Sequence, residues 1–182
     1  MIQPEHVVLV DKYGNVSGQK EKLKAHQSGE LHQAFSIMLY QQSASGNYEY
    51  LLQQRAQSKY HSGGLWTNTC CSHPRPGEKL EQGCIRRLKE EMGILQSLQL
   101  KEIGVFCYHA YLDNGLIEHE RDHIWVAEAH ALTIEPEPAE VMHYEWCPVH
   151  KIHARLAQYP EQFTAWFSEV FTIVNKKLQV DT

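Results

Sequence analysis

The stretch Leu80-Glu81-Gln82-Gly83-Cys84-Ile85-Arg86-Arg87-Leu88-Lys89-Glu90-Glu91-Met92-Gly93 reads as one amphipathic helix with its own stop signal. Leu80, Cys84, Leu88 and Met92 recur every fourth residue and draw a single apolar stripe. Gly93 suits the left-handed backbone that ends a helix. Arg86 with Glu90, and Arg87 with Glu91, stand four apart and can pair on the surface, for about 0.3–0.5 kcal/mol each. The alternative is that Glu91 faces a cleft and binds Mg²⁺ while Arg87 holds phosphate oxygens. Magnesium is often carried by few carboxylates plus the substrate's phosphates.

Around this helix the chain reads mostly as strand. Residues 7–10 form a first strand, with a turn at Tyr13-Gly14-Asn15. Residues 34–40 and 48–54 are β-rich runs joined by a polar loop, a hairpin signature. A short strand is expected within residues 64–72, and a long one over 100–112. The Asn114-Gly115 turn leads to another around 122–129. A second long helix is expected over 160–178, with Pro160 in its first turn and Phe163, Trp166, Phe167, Val170, Phe171 and Val174 on its apolar face. Strands in the middle with helices flanking them predict an α/β (α+β) fold, a mixed β-sheet flanked by helices. At 182 residues the chain is expected to be one domain, residues 1–182.

Composition narrows the function classes. Apolar residues make up 42% and charged residues 21%, as in ordinary globular proteins. No apolar run approaches the roughly 20 residues of a membrane span, and the N-terminal residues lack a secretion signal, so a cytoplasmic location without membrane association is expected. A net charge of −5 argues against nucleic-acid binding but leaves room for a small anionic substrate. Five cysteines without a CxxC pair make a disulfide scaffold unexpected.

Several polar groups stand out. In extended chain Glu118 and Glu120 share one face, with His119 on the opposite one. Adjacent carboxylates repel unless a cation lies between them, although a solvated strand edge would show the same alternation. His26 and His32 are six apart, too irregular for one helix face, but they can converge across a loop entering the strand near Ala34. His73 precedes a proline that restricts its backbone. Imidazole and carboxylate together suit zinc, manganese or iron, and no spacing here forces coordination. Cys70 and Cys71 send their thiols to opposite faces of an extended chain, so that one can be core and one cleft. A thiol with an ordinary pKa near 8.5 stays protonated at neutral pH and can give a proton.

Taken together, these segments resemble a known family. Trp66-Thr67-Asn68-Thr69-Cys70-Cys71-Ser72-His73-Pro74 resembles the W-T-N-x-x-C-x-H-P segment of type 1 isopentenyl diphosphate isomerases. Glu118-His119-Glu120-Arg121-Asp122-His123 is similar to their E-x-E segment. Glu78 followed by Arg86 to Gly93 resembles a degenerate Nudix box, with Ser72 where that box starts with Gly. Leu31 to Ser36 and Gln54 to Lys59 also fit. The resemblance implies a Nudix-like fold and interconversion of isopentenyl and dimethylallyl diphosphate by protonation and deprotonation at carbon. It further implies that His26, His32, His73, Glu118 and Glu120 bind a divalent metal, Mn²⁺ or Zn²⁺, and that Glu91 contributes to a Mg²⁺ site shared with the diphosphate. Lys22, Arg55, Lys59 and Arg87 would contact phosphate. Cys71 would be the catalytic thiol, opposed by Glu120 with Tyr108, and Trp166 and Trp66 would line the hydrocarbon pocket. The rival is a Nudix hydrolase of a nucleoside diphosphate derivative with Mg²⁺ on Glu90 and Glu91. A third reading is a non-catalytic metal-storing or diphosphate-sensing module.

Overall fold

Strand β3 (His32–Gln42) is apolar on both faces, with Phe35, Ile37 and Leu39 on one and Met38 on the other, so it must be covered twice. In the computed structural model, which describes residues 5–180, β3 is the hub of a nine-stranded mixed sheet. β8 (Ile117–Glu128) runs parallel to it, from the pair His32/Glu120 to Tyr40/Glu128. β1 (His6–Val10) and β4 (Tyr48–Arg55) pair antiparallel with its two ends. β6 (Cys70–Ser72) pairs with its middle and sets Cys71 opposite Ser36. β2 (Val16–Glu21) adds to β1, β5 (Trp66–Thr67) and β9 (Val141–Pro148) pair with β4, and β7 (Lys101–Tyr111) pairs with β8.

Helix α2 (Leu80–Met92) covers one face. Cys84, Leu88 and Met92 pack there against Phe35, Ile37, Leu39 and Cys70. Helices α3 (Val149–Gln158) and α4 (Phe167–Leu178) cover the opposite face, where Phe167, Val170 and Phe171 meet Met38, Tyr50 and Ile124. Burying each such side chain stabilises the fold by about 1.5–3 kcal/mol. The expected mixed sheet with flanking helices is what forms. α2 begins and ends as its period predicts, and Gly93 takes φ 64°.

The helix expected over 160–178 is shorter. Pro160–Gln162 is a separate 3-10 turn and Phe163 is extended, bridged to Trp66. The Thr164 N–H donates to the Trp66 carbonyl at 3.0 Å, so the chain runs along β5 before α4 can start. Helix α1 (Lys22–Ser28), β2, β9 and α3 were not anticipated. β8 starts five residues ahead of its predicted position because its first inward residues are Glu118, Glu120 and Asp122, a buried but polar alternation.

Candidate active site

Strand register assembles the site. His32 neighbours Glu120 across β3 and β8, Tyr108 neighbours Glu120 across β7 and β8, and Cys71 neighbours Ser36 across β6 and β3. His26 arrives separately, on α1. That helix ends at Gly29, whose φ is 66° and whose added Cβ would lie 3.1 Å from Ile117 Cγ2. The tight turn drops the chain into β3 and brings the His26 and His32 rings to 4.9 Å. His73 follows β6, and Arg86, itself clamped by both carboxylate oxygens of Glu78, donates to the His73 carbonyl at 3.3 Å.

Hydrogen bonds fix two imidazole tautomers. Nδ1 of His26 lies 2.7 Å from the Lys22 carbonyl, and Nδ1 of His32 2.7 Å from that of Glu30. A carbonyl can only accept, so both Nδ1 atoms carry the proton and both Nε2 atoms present bare lone pairs. Nε2 of His26 is buried without a hydrogen-bond partner. Nε2 of His32 is 3.2 Å from Nε2 of His73 and 3.4 Å from Oε1 of Glu120, which is 2.7 Å from His73. Burial holds the His73 imidazolium pKa down at about 3, against the pull of Glu120.

Converging lone pairs with too few protons to share fit a divalent cation. Ligands about 2.1 Å from a six-coordinate ion stand roughly 3 Å apart at right angles and about 4.2 Å apart across it. The donor atoms of His26, His32, His73 and Glu120 all lie within 4.8 Å of one another. Glu118 falls in a second such group, with His26 and His61. Four of the five expected ligands therefore meet in one group, and the fifth is joined to it through His26. His61 was not singled out from the sequence. It lies in an irregular loop with no periodicity to mark it, and its only signal is its place five residues before Trp66.

Glu118 and Glu120 are both buried. Burial and the neighbouring Glu120 push the Glu118 carboxyl well above the usual range. Burial would raise Glu120 too, but His73 and His32 hold it well below. The Tyr108 hydroxyl lies 2.6 Å from Oε2 of Glu120 and 2.9 Å from Oε2 of Glu118. Its one proton serves one carboxylate at a time, so Tyr108 can carry a proton between them.

Cys70 is core on the α2 side, while Cys71 faces the α4 side, and all five cysteines are free. Burial, then the nearby Asp122, push the Cys71 thiol up to about 12, so it holds its proton. The thiol donates to Oδ1 of Asn68 at 2.9 Å, and the Trp166 indole N–H donates to the sulfur at 2.9 Å. Ser36 lies 3.5 Å from the sulfur and donates to buried Asp122 at 2.7 Å. Ser72 is extended, so the Gly of a Nudix box is not required there.

Cys71, Glu118, Glu120, His61 and Trp166 line one cleft, with Arg55, Lys59, Lys22 and Arg87 at its rim. Its free volume is about 30 Å³, room for roughly two waters. It opens beside a 380 Å³ vestibule lined by Lys22, Lys59, Tyr60 and Arg87. Three of the rim cations already hold a carboxylate: Lys22 holds Glu5 at 3.1 Å, Lys59 holds Glu140, and Arg87 holds Glu91 at 2.5 Å. Glu91 is buried and also accepts from Gln53 at 3.0 Å. Trp66 is not in the cleft. Its ring lies beside His143 and Arg155, because β5 turns it away from Cys71.

A family model described as NUDIX domain matches residues 30–167. A Deinococcus radiodurans structure, DR0079, superposes with a TM-score of 0.73 at 16% identity, covering 92% of this chain and 98% of that one. A C. elegans Ap4A hydrolase superposes with a TM-score of 0.58 at 22% identity, covering 81% of this chain and 97% of that one. These likenesses define the fold. In sequence, the isopentenyl-diphosphate Delta-isomerase of Photobacterium profundum is 53% identical over 178 residues, 98% of each chain. A counterpart from Aliivibrio fischeri is 44% identical, covering 96% of this chain and 97% of the relative. The chain belongs to the NUDIX family and, within it, to the isopentenyl-diphosphate Delta-isomerases. Dependence on a divalent metal accords with that family and with the cluster of histidines and glutamates. Among the described residues no helix is long and apolar enough to cross a membrane.

Proposed function

We propose that the chain interconverts isopentenyl and dimethylallyl diphosphate, with Cys71 and Glu120 exchanging protons with carbon inside one cleft and Tyr108 assisting the carboxylate. The observation that carries this reading is a protonated thiol and an ionised carboxylate lining the same small enclosure. An unactivated alkene needs an acid at one end of the allylic unit and a base at the other. One of the two groups gives a proton to the terminal alkene carbon, and its opposite number takes one from the carbon next to the diphosphate-bearing carbon. In reverse they exchange roles. Loss of the thiol proton leaves a thiolate that the Trp166 N–H stabilises. The indole face and exclusion of water protect the intervening tertiary cation, the ring contributing roughly 0.5–2 kcal/mol.

His26, His32, His73, Glu118 and Glu120 would hold Mn²⁺ or Zn²⁺, which when bound supplies positive charge that keeps the carboxylates ionised and in place. Mg²⁺ would enter with the diphosphate, at Glu91. Lys22, Arg55, Lys59 and Arg87 bind the phosphates. Because three of these cations are held on carboxylates, the incoming diphosphate exchanges partners with Glu5, Glu140 and Glu91, and that exchange opens the cleft.

The hydrolase alternative asks Glu90 and Glu91 to share one Mg²⁺. Glu90 instead points outward between Arg86 and Arg87, while Glu91 points inward. Incubating the protein with isopentenyl diphosphate and Mg²⁺ under NMR tests the reading. The dimethylallyl isomer is expected, and release of phosphate or monophosphate without it would reject isomerase function.

A further inference from the structure

His61 lies outside the set of ligands that the family resemblance names, yet it is 4% exposed, and its Nε2 is 3.3 Å from Oε1 of Glu118. The two groups of converging donors, His26/His32/His73/Glu120 and His26/His61/Glu118, share His26. Since Nδ1 of His26 is committed to the Lys22 carbonyl, His26 has one lone pair to give, and that pair can serve only one ion. The six donors are not one cluster in this structure, but an ion that takes the His26 lone pair and draws in Glu118 would draw His61, its 3.3 Å neighbour, towards the same centre.

We propose that His61 is a sixth protein ligand of the metal, completing a shell of four imidazoles and two carboxylates. This rests on the metal centre proposed above. The 3.3 Å separation from Glu118 matches the roughly 3 Å edge of an octahedral shell, as do the 3.2 Å and 3.4 Å separations around His32. Nδ1 of His61 is 3.2 Å from the Ser62 hydroxyl, which can accept from an Nδ1–H in the tautomer that leaves Nε2 free to ligate. Glu118 turns Oε1 towards His61 and Oε2 towards Tyr108, so its carboxylate stands between the ring and the hydroxyl.

The loop is built to present this ring. Arg55 donates to the His61 carbonyl at 3.2 Å, and Ser62 takes a left-handed φ of 51°. The ring stacks on His26 at 5.8 Å and meets Tyr60 edge-on at 4.3 Å. A shell completed by His61 would leave the ion no open position for water, so it would place Glu118 and Glu120 and would not activate a nucleophile.

The test uses the full chain, labelled with ¹⁵N-histidine and loaded with Co²⁺. Ring N–H protons of ligating histidines are strongly shifted by the paramagnetic ion and can be counted by NMR. Four are expected in the wild-type protein and three in His61→Gln, with Co²⁺ affinity weakened about 10–100-fold in that variant. Three in the wild-type protein would overturn the assignment while leaving the metal centre and the isomerase reading standing. No shifted resonance at all would overturn the metal centre together with it. The wild-type count decides even if the variant fails to fold.

Discussion

At Cys71 the surroundings matter more than the sulfur alone. Asn68 accepts the thiol's hydrogen bond and Trp166 donates to the sulfur from a second direction, so the thiol is aimed as well as buried. Cys71→Ser is expected to keep the fold and the metal content while turnover falls about 10²–10⁴-fold, the range for losing a positioned proton-transfer group. Isomer formation by NMR and metal analysis of the same sample check this. The raised thiol pKa also has a stability consequence. An unfolded thiol ionises near 9 and the folded one near 12, so its contribution is complete below pH 9 and is lost as pH rises to about 12. Alkaline denaturation should therefore be steeper for the wild-type protein than for Cys71→Ser above pH 9, and parallel curves would refute it.

Elements place these residues by how they end and how they pair. Gly29 is the joint between the helix that carries His26 and the strand that carries His32. Gly29→Ala would put a Cβ 3.1 Å from Ile117 Cγ2 at a left-handed φ, which should cost about 1 kcal/mol or more. Metal affinity should fall with stability, because both flanking histidines depend on that joint. Urea unfolding with and without added Mn²⁺ measures both losses, and unchanged metal affinity would refute the coupling. Much of this level was legible beforehand. The four-residue period of α2 and its closing Gly93 marked that helix, and the alternation of Glu118 with Glu120 put both on one face, which the structure shows to be buried. The short polar elements were not legible. α1 has seven residues and little apolar surface, and β2 is mostly exposed, so neither carries a period.

For the whole molecule the polar centre gathers buried donors whose repulsion a bound cation would relieve. Four imidazoles and two carboxylates sit between β3, β8 and the α1 turn. Removing divalent metal with a chelator should lower the melting temperature, with about 2.7 kcal/mol of stabilisation returning at a hundred times the dissociation constant. A melting temperature indifferent to chelation would argue that the cluster is a hydrogen-bonded core. Acid should act in the same direction. Burial holds His61 at about 2 and His73 at about 3, so the stability they contribute as neutral rings is present above 6.5 and lost as pH falls towards 3. Thermal melts between pH 7 and pH 4 would show the decline, and a flat profile would contradict it.

Sequence alone determined the class of fold and marked side chains whose chemistry suits metal binding and proton exchange. Hydrophobic period and turn residues are local, and the segments around Trp66, Glu91 and Glu118 are short enough to recognise as they stand. Tertiary structure decided which of those side chains meet. His32 comes to Glu120 only through the parallel register of β3 with β8, and Cys71 to Trp166 only because α4 packs across the sheet. The same packing turned Trp66 away from the cleft and brought His61 into it. Such distances depend on contacts between residues far apart in the chain, and no local pattern encodes them.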